Sequence, residues 1–540
     1  NDKLYASMNV AGLAHVVAVS GMHVAFLVGV LQSLLGKNRR SSLICICLVW
    51  LFVVMVGSPL SAIRAGIMIS LLMLAPVLGR INDRATTLSF ALALILVTNP
   101  FSAGSVALQL SFGAVAGMFL FSQPIYAYFS KKLSPPRIFR AVWNYIIATL
   151  SSSLAVTVFT FPLLAVHFGY ITLLAPVMNI LCLWAISFLF VGGFAVCAVG
   201  LVLPTPASWL AAVLSCLVRY IAFVVEYAAK LPITALYMEN KYAPAWLLTS
   251  YALFIAYFLL RRKKKISVFA PSALCLAMLC GVFAMTGRDM RSDTGTISVM
   301  NVGNGQCIAV TEGESVVVID CGSYGVTQNA GSMLSSYLRA GGRYDIDYLM
   351  LTHLHSDHTT GVVRLLNLMN VNTVILPDNA EDTNGDDVLD DIIAACEDNG
   401  TKIVYITRDT EFTAGAIRLS VYESSERGSR DESGIMSTVS IGDYDMLVTG
   451  DVEKVVEREL VSSHDLSGTE LLIVPHHGSK YSTSDELLSE LRPETAVIST
   501  GYNRYGHPTK ETLDKLNEYG VNVLRTDELG RIVLHVASGD

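Results

Sequence analysis

The stretch Thr352-His353-Leu354-His355-Ser356-Asp357-His358 lies directly after the apolar segment Tyr348-Leu349-Met350-Leu351. Imidazole and carboxylate groups are ligands of first-row metal ions, and four of them occur in this one stretch. A strand that ends in a tight loop would turn His353 and His355 toward one metal ion, and Asp357 and His358 toward a second ion about 3.5–4 Å away. One histidine alone is usually an ordinary side chain, but four such ligands after a buried strand indicate a metal site.

The stretch resembles the HxHxDH signature of the metallo-β-lactamase fold, an α/β sandwich of two sheets between helices (αββα). The resemblance implies further ligands from other strand ends, and two apolar segments offer them: one ends in Asp451, and the other in His476-His477. Asp451 would bridge both metal ions, and His477, or alternatively His476, would complete the second site. His507, within a Gly-His-Pro sequence, is either a pocket residue or part of an ordinary turn.

One ligand of that fold is missing, because no histidine occurs from Thr359 to Ser463. The first metal ion would therefore be held only by His353, His355 and Asp451, with water or substrate in the remaining position. Three protein ligands and an open position are typical of a catalytic metal ion. The same gap is consistent with weak occupancy of this first site.

The N-terminal half is of another kind, because the chain is 52% hydrophobic with a mean hydropathy of +0.51 and the apolar excess precedes residue 288. Most of its apolar stretches approach the roughly 20 residues that span a bilayer as a helix. They predict a polytopic α-helical membrane domain of about ten helices over 1–287, followed by a hydrolase domain over 288–540. The stretches are 13–35, 42–57, 60–79, 86–99, 105–122, 143–166, 171–203, 207–228, 245–260 and 266–286. The stretch 171–203 is either one span or, since Gly192-Gly193 lies in its middle, a broken or doubled helix.

Charge differs sharply between the two halves. Residues 1–287 hold 19 lysines and arginines and 4 acidic residues, whereas the remainder holds 19 and 41, a net charge of −22. Short loops rich in lysine and arginine face the cytoplasm. With 171–203 counted as one span, every basic loop falls on the same side, and the run 261–265 lies inside. The metal domain is therefore predicted to be extracytoplasmic, on a multi-pass protein of the bacterial cell (inner) membrane.

Several segments resemble the ComEC-type competence family, the DNA-uptake channels of naturally transformable bacteria. In the membrane half they are 13–24, 61–68, 109–112, 168–169 and Asn179; in the other half they are 302–305, 449–451, 476–479 and 503–508. The resemblance covers nearly the whole chain in the same order. The oligonucleotide-binding-type domain that often precedes the family's channel is missing, so we expect the chain to be N-terminally truncated.

The chain departs from the family pattern at three places. The family usually reads Asp-Val-Gly-Gln-Gly-Asp where this chain has Asn301-Val302-Gly303-Asn304-Gly305-Gln306, and it usually has two glycines where Thr360-Gly361 stand. Gly434 occupies a position where asparagine is common. These changes remove acidic or small groups near the pocket, so they bear on catalytic rate rather than on metal binding.

The resemblance implies that one DNA strand passes through the membrane domain while the other is degraded outside. Two divalent metal ions, zinc or manganese, would polarise a phosphate oxygen and activate water. Asp357, His477 and His507 would be the catalytic residues, with His507 or the spare histidine of the pair protonating the leaving oxygen. The implied partners are a DNA receptor and cytoplasmic translocation or single-strand-binding proteins, because nothing in the sequence resembles a phosphate-binding ATPase loop.

Polar residues inside membrane segments mark the candidate DNA path. Arg64, near the predicted outer end of its helix, either snorkels to the interface or lines the path. His15, Ser20 and His23 would share roughly one helix face, as channel-lining residues or as polar contacts between helices. In the acidic outer domain, Arg504, Lys480 and Lys510 are either DNA contacts or a solvated surface.

Three functions remain open from the sequence. The first is a channel for single-stranded DNA fused to an extracytoplasmic nuclease. The second is a membrane-anchored metallo-phosphodiesterase that acts on a substrate other than DNA. The third is a transporter whose metal domain is catalytically weak.

Overall fold

The structure is a computed structural model that describes residues 2–17, 21–36, 38–79, 83–132, 137–261, 269–291, 294–326, 328–378, 388–423 and 434–537. The chain divides into two compact units, Asn1–Met238 and Glu239–Asp540.

The first unit is helical. Its helices are α1 (Asp2–Val10), α2 (Ala14–Val17), α3 (Gly21–Leu35), α4 (Arg39–Met55), α5 (Leu60–Val77), α6 (Arg84–Thr98), α7 (Val106–Lys132), α8 (Arg140–Phe168), α9 (Ala175–Gly200) and α10 (Pro204–Ala229). A two-stranded antiparallel sheet pairs β1 (Tyr170–Thr172) with β2 (Ala235–Tyr237). The predicted stretch 171–203 thus contains one unbroken helix, α9.

Close helix packing in this unit depends on small residues. A Cβ added to Gly117 of α7 would lie 2.4 Å from the carbonyl oxygen of Ala155 in α8, so only glycine fits there. Elsewhere Cys45 and Val49 of α4 pack in one buried cluster with Ala62 of α5. Such contacts let apolar helices associate although their surroundings are equally apolar.

The second unit begins with two further helices, α11 (Ala243–Arg261) and α12 (Phe269–Met290). Within the described residues, six helices are long and apolar enough to cross a membrane: α7 to α10 and the segments Ala243–Leu260 and Ala270–Met290. The multi-pass membrane character predicted from the sequence is therefore confirmed.

The α11–α12 pair is joined to the folded domain that follows it. Asn240, which is buried, donates from Nδ2 to Thr286 Oγ1 of α12 at 2.6 Å and to the Ala340 carbonyl at 2.8 Å. Arg531 Nη1 lies 2.6 Å from Glu239 Oε2. Both contacts connect residues that flank the membrane helices to the domain beyond them.

That domain contains two seven-stranded sheets among the described residues, in the order β16-β3-β4-β5-β6-β7-β8 and β15-β14-β13-β12-β11-β10-β9. The first is built from β3 (Thr294–Val299), β4 (Cys307–Glu312), β5 (Ser315–Cys321), β6 (Asp345–Met350), β7 (Asn370–Pro377), β8 (Lys402–Ile406) and β16 (Ile532–Ala537). The second is built from β9 (Thr410–Ala414), β10 (Ile417–Tyr422), β11 (Met436–Ile441), β12 (Tyr444–Val448), β13 (Leu471–Ile473), β14 (Thr495–Ile498) and β15 (Asn522–Arg525).

Helices cover the outer face of each sheet. Those on the first are α13 (Ala330–Ala340), α15 (Val362–Leu368) and α16 (Val388–Asn399); those associated with the second are α17 (Lys454–Ser463), α18 (Asp485–Leu491) and α19 (Lys510–Glu518). Short turns of helix form α14 (Ser356–Thr359) and α20 (Thr526–Leu529).

The strands show why the layers form. Successive side chains of a strand point to opposite faces, so Val316 and Val318 of β5 pack against the helices while Val317 and Ile319 pack against the second sheet. Strands buried on both faces read as continuous apolar runs, as β5 does. The result is the predicted αββα sandwich.

Strand direction creates the site. β5 and β6 are parallel neighbours in the first sheet, and β12, β13 and β14 are parallel neighbours in the second. The carboxyl ends of parallel strands lie at the same edge of their sheet, so the residues that follow these strands are gathered along one side of the domain.

Candidate metal centre

Four side chains that follow different strands meet in one cluster. Ligand atoms of Asp357, His358, Asp451 and His477 all lie within 4.8 Å of one another. The first two follow β6, Asp451 follows β12, and His477 follows β13. The structure thus brings together the groups that the sequence proposed for a second metal ion.

Asp451 is the centre of this arrangement. His358 Nε2 lies 3.2 Å from its Oδ1, while the Nε2 atoms of His353, His476 and His477 lie 3.9, 4.0 and 3.9 Å from its Oδ2. His477 Nε2 also lies 3.5 Å from Asp357 Oδ2. One buried carboxylate therefore faces four imidazoles.

The first predicted site is less closed. The ring of His355 lies 4.7 Å from that of His353, centroid to centroid, and His355 is half-buried. His476 is also half-buried, and its ring lies 5.6 Å from that of His507. His507 therefore contacts the His476 ring, which in turn lies beside Asp451, and His507 is on the open side of the cluster.

The tautomers of the histidines follow from their outer contacts. His358 Nδ1 lies 2.7 Å from Asp320 Oδ2, and His477 Nδ1 lies 2.7 Å from the Ser499 carbonyl. A carboxylate or carbonyl oxygen only accepts, so both Nδ1 atoms donate, and Nε2 is the atom that each ring presents to Asp451. Such outer contacts fix ring orientation in metal sites.

The cluster has the chemistry of a metal centre. Among the described residues, the Nε2 atoms of His353, His358 and His477 and Oδ1 of Asp451 are buried and have no hydrogen-bond partner. A buried polar atom without a partner costs free energy that a bound ion would recover. Imidazole nitrogens together with carboxylate oxygens suit zinc and manganese. These residues therefore fit a divalent metal ion.

The electrostatics support the same conclusion. Burial disfavours charge on Asp451 and His358, yet their mutual attraction prevails: the pKa of Asp451 lies well below its ordinary value and that of His358 well above. Burial opposes ionisation of Asp357 as well, but the neighbouring imidazoles of His477 and His358 lower its pKa to about 2. The carboxylates thus remain charged, and they attract positive charge that a dication would also supply.

Asp320 was not predicted from the sequence. Beyond its contact with His358, it accepts from the Thr352 amide at 2.8 Å, from Thr352 Oγ1 at 2.8 Å and from Gln306 Nε2 at 2.9 Å. It is fully buried at the end of β5. The sequence did contain a signal for Asp320, because this aspartate directly follows the apolar run 316–319. The same pattern, an apolar strand that ends near an aspartate, led to the prediction of Asp451.

Backbone strain is concentrated at the cluster. Asp320, His476 and His477 have φ values of 57°, 51° and 53°, in the left-handed region that residues other than glycine rarely adopt. Strain of this kind persists where surrounding contacts hold it, and it often marks functional sites. Here those contacts include the Asp320 hydrogen bonds and the His476 amide, which donates to the Gly450 carbonyl at 3.1 Å.

The departures from the family pattern now have structural consequences. Gln306 donates to Asp320, so the amide that replaces an acidic group supports a carboxylate beneath the cluster. Gly434 lies against His353: an added Cβ would come within 3.1 Å of the Thr352 carbonyl oxygen and 3.9 Å of the His353 Cβ. A side chain at 434 would therefore crowd the Thr352 carbonyl, while it would meet the His353 side chain only at ordinary van der Waals distance.

Two family models match the chain. One, described as "Competence protein", matches residues 1–265, and the other, "Metallo-beta-lactamase superfamily", matches residues 300–420. The chain thus carries a competence-type domain in its N-terminal half, followed by a metallo-β-lactamase domain. The resemblance seen in the sequence is thereby confirmed.

Individual relatives extend this match along the chain. ComE operon protein 3 of Bacillus subtilis is 26% identical over 98% of this chain and 69% of its own length. Competence protein ComA of Neisseria gonorrhoeae is 24% identical over 99% of this chain and 72% of its own length. Among solved structures, CmlA, a diiron β-hydroxylase from Streptomyces venezuelae, is 14% identical with a TM-score of 0.32, covering 45% of this chain and 54% of CmlA.

In the competence domain the predicted path residues are spread over separate elements. Arg64 of α5 is buried, and its Nε and Nη1 atoms have no hydrogen-bond partner among the described residues. The ring of His23 in α3 lies 5.1 Å from that of Phe190 in α9, and His15 of α2 is exposed. Ser20 lies outside the described residues.

Proposed function

We propose that this protein is a DNA-uptake channel of the bacterial cell membrane, with a metal-dependent nuclease outside the cytoplasm. Residues 1–287 would conduct one DNA strand, and residues 288–540 would cleave the strand that is not transported. The observation that carries this proposal is the Asp357–His358–Asp451–His477 cluster, which lies in the same chain as a competence domain.

The metal domain supports hydrolysis through its own residues. Asp357, His358, Asp451 and His477 would hold one divalent ion, and His353 and His355, with Asp451 shared, would hold another. When bound, such ions polarise a phosphate oxygen and activate water. His353, His358 and His477 would bind such an ion through Nε2, because their Nδ1 atoms are engaged by Thr352, Asp320 and Ser499.

His507 would act on the leaving group. Burial and the neighbouring His476 and His477 lower the pKa of His507, so its imidazole is neutral near pH 7. A neutral imidazole would take the proton that the attacking water loses and transfer it to the departing oxygen. Its position beside His476, on the open side of the cluster, supports this role.

Arg64 supports the transport part of the proposal. Two buried guanidinium nitrogens, Nε and Nη1, have no hydrogen-bond partner among the described residues, which is costly, and buried charged groups in membrane segments mark ion or substrate pathways. A passing phosphate backbone would supply the missing acceptors. Guanidinium groups bind phosphate oxygens with particular strength because two of their N–H groups can donate in parallel.

The proposal is tested by two variants that should fail differently. In full-length protein in lipid nanodiscs, Asp357→Ala should abolish cleavage of fluorescent DNA supplied with zinc or manganese, because a carboxylate of the cluster is lost. Asp390→Ala, an exposed acidic residue on α16, is the matched control and should cut normally.

Arg64→Ala should leave that cleavage unchanged but reduce uptake of labelled DNA by cells that depend on this protein. Arg140→Ala, an exposed arginine at the start of α8, is its control. Normal cleavage by Asp357→Ala would contradict the nuclease, and normal uptake by Arg64→Ala would contradict its role in the path.

A further inference from the structure

Three large aromatic side chains project into solvent beside the metal centre. Tyr502 is 88% exposed, Tyr505 is 73% exposed and Tyr324 is 58% exposed. Tyrosine usually buries most of its ring, so a group of open rings on adjacent loops suggests a binding surface.

Tyr505 connects directly to the cluster through a series of rings. Its ring lies 5.9 Å from that of His507, at an interplanar angle of 31°, and His507 lies 5.6 Å from His476. His476 Nε2 in turn lies 4.0 Å from Asp451 Oδ2. The exposed Tyr505 ring is therefore connected to the Asp451 carboxylate through the imidazoles of His507 and His476.

Tyr324 and Tyr502 lie on loops that pack against each other. The Tyr324 carbonyl accepts from the Asn304 amide at 3.0 Å, and an added Cβ on Gly501 would lie 2.5 Å from Gly303 Cα. A Cβ on Gly325 would lie 3.4 Å from the Tyr502 carbonyl oxygen. The loops after β3, β5 and β14 thus form one continuous rim.

The loop that carries Tyr502 and Tyr505 is held in shape by Asn503. Its Nδ2 donates to the carbonyls of Gly501 at 2.9 Å and His507 at 2.7 Å, while its Oδ1 accepts from the amides of Tyr505 at 3.1 Å and His507 at 3.0 Å. A loop tied in this way presents its rings without a large ordering cost on binding.

The charge of the domain restricts what these rings can bind. With a net charge of −22 over 288–540, the domain is poorly suited to the phosphate contacts on which duplex binding depends. Base stacking on aromatic side chains is a separate contribution to single-strand binding, and it requires unpaired bases. Arg504, exposed between the two tyrosines in sequence, adds one local positive charge.

We propose that Tyr324, Tyr502 and Tyr505 form a stacking surface that binds the bases of single-stranded DNA next to the metal centre. The site then selects DNA whose strands have already been separated and discriminates against the intact duplex. This inference rests on the proposed nuclease function and specifies its substrate.

Binding is measured without cleavage, using full-length protein in nanodiscs, a chelator, and fluorescence anisotropy of labelled oligothymidine and of a blunt-ended duplex. Tyr502→Ala/Tyr505→Ala should lose at least about fivefold in affinity for the single strand, since stacking contributes about 1–3 kcal/mol per base. Tyr502→Phe/Tyr505→Phe, which keeps both rings, should bind as the wild type does. Tyr405→Ala, an exposed tyrosine on edge strand β8, is the matched control.

The outcomes distinguish a failure of the stacking surface from a failure of the proposed nuclease function. Unchanged single-strand affinity in the double alanine variant, or an equal loss for duplex and single strand, overturns the stacking surface. If that happens while Asp357→Ala still abolishes cleavage, the nuclease stands and only its substrate preference falls. Tyrosine-dependent binding in a protein that never cuts would instead support the surface and refute the nuclease.

Discussion

Polar side chains are arranged in opposite ways in the two parts of this protein. In the metallo-β-lactamase domain, groups from separate strand ends converge on Asp451, with distances of 3.2–4.0 Å to four imidazoles. In the competence domain, Arg64 is buried without a hydrogen-bond partner for its Nε and Nη1 among the described residues, and His23 contacts an aromatic ring. A metal ion is bound by side chains that meet at one point. A long polymer would instead be contacted by a series of residues that need not touch one another.

The largest effect should come from breaking the convergence at its centre. Asp451→Asn removes the charge that four imidazoles face, so we expect complete loss of DNA cleavage and a lower content of bound metal. Nuclease assays and elemental analysis of the purified protein measure both. Asp443→Asn, in the exposed turn between β11 and β12, is the control. Full metal content with normal cleavage would remove Asp451 from the mechanism.

A large effect on uptake, but not on folding, is expected from Arg64→Met. Replacing a buried charge by an apolar side chain of similar size is often neutral, or stabilises by about 1–4 kcal/mol. The variant should therefore unfold at the same temperature as the wild type or higher, while DNA uptake falls. Arg140→Met, at the exposed start of α8, should change neither property. A clear drop in unfolding temperature would show that Arg64 is structural, and the contrast between the two domains would disappear.

A smaller effect is expected at Asp320, which contacts the proposed ligand His358 but is not itself a proposed ligand. Asp320→Asn keeps the shape of the side chain but removes the charge beside His358 Nδ1, and loss of such an outer partner typically lowers metal affinity about 10–100-fold. Competition with a chromophoric chelator measures it. Asp345→Asn, an exposed residue that begins β6, should bind metal as the wild type does. Equal affinities in both variants would show that Asp320 only supports the fold.

The smallest effect concerns the loop after the histidine pair. Glu457, fully buried in α17, accepts from the amides of Thr483 at 2.7 Å and Ser484 at 2.6 Å. Glu457→Gln replaces one acceptor by a donor, so we expect a loss of about 1–3 kcal/mol in unfolding free energy. Glu453→Gln, on the preceding turn, where no capping hydrogen bond is made, should be neutral.

This prediction also has a pH dependence. Burial raises the pKa of Glu457 above its unfolded value, although its hydrogen bonds oppose the shift. The folded state then holds this proton more tightly than the unfolded state does. The stability difference between wild type and Glu457→Gln should therefore shrink as pH rises from about 4 through the raised pKa. A difference that grows over this range would contradict the assignment.

Much of the fold followed from local sequence pattern. Apolar length predicted the membrane helices, and β6, β12 and β13 were recognised because each is an apolar run followed by a ligand. Such signals are local, since strand period and bilayer thickness both act on neighbouring residues. The same reasoning brought His353, Asp451 and His477 together before their distances were known.

What could not be predicted depends on contacts between distant segments. Asp320 is a single acidic residue whose role appears only when β5 lies beside β6, and the rim tyrosines become a group only when the loops after β3, β5 and β14 meet. The burial of Arg64 depends on how helices pack, which hydropathy does not report. Tertiary contacts of this kind produce no periodic pattern in the sequence by which they could be recognised.

The hydrogen bonds of Asn240 have one further consequence. They join α11 and α12 to the metallo-β-lactamase domain within one compact unit, so the metal cluster keeps a fixed position relative to these two helices. A domain on a flexible linker would sample many distances from the bilayer, whereas a domain fixed to its membrane helices keeps its site at one distance. Under the proposed function, the fragments released outside would then share a minimum length that is set by the protein and is independent of base sequence.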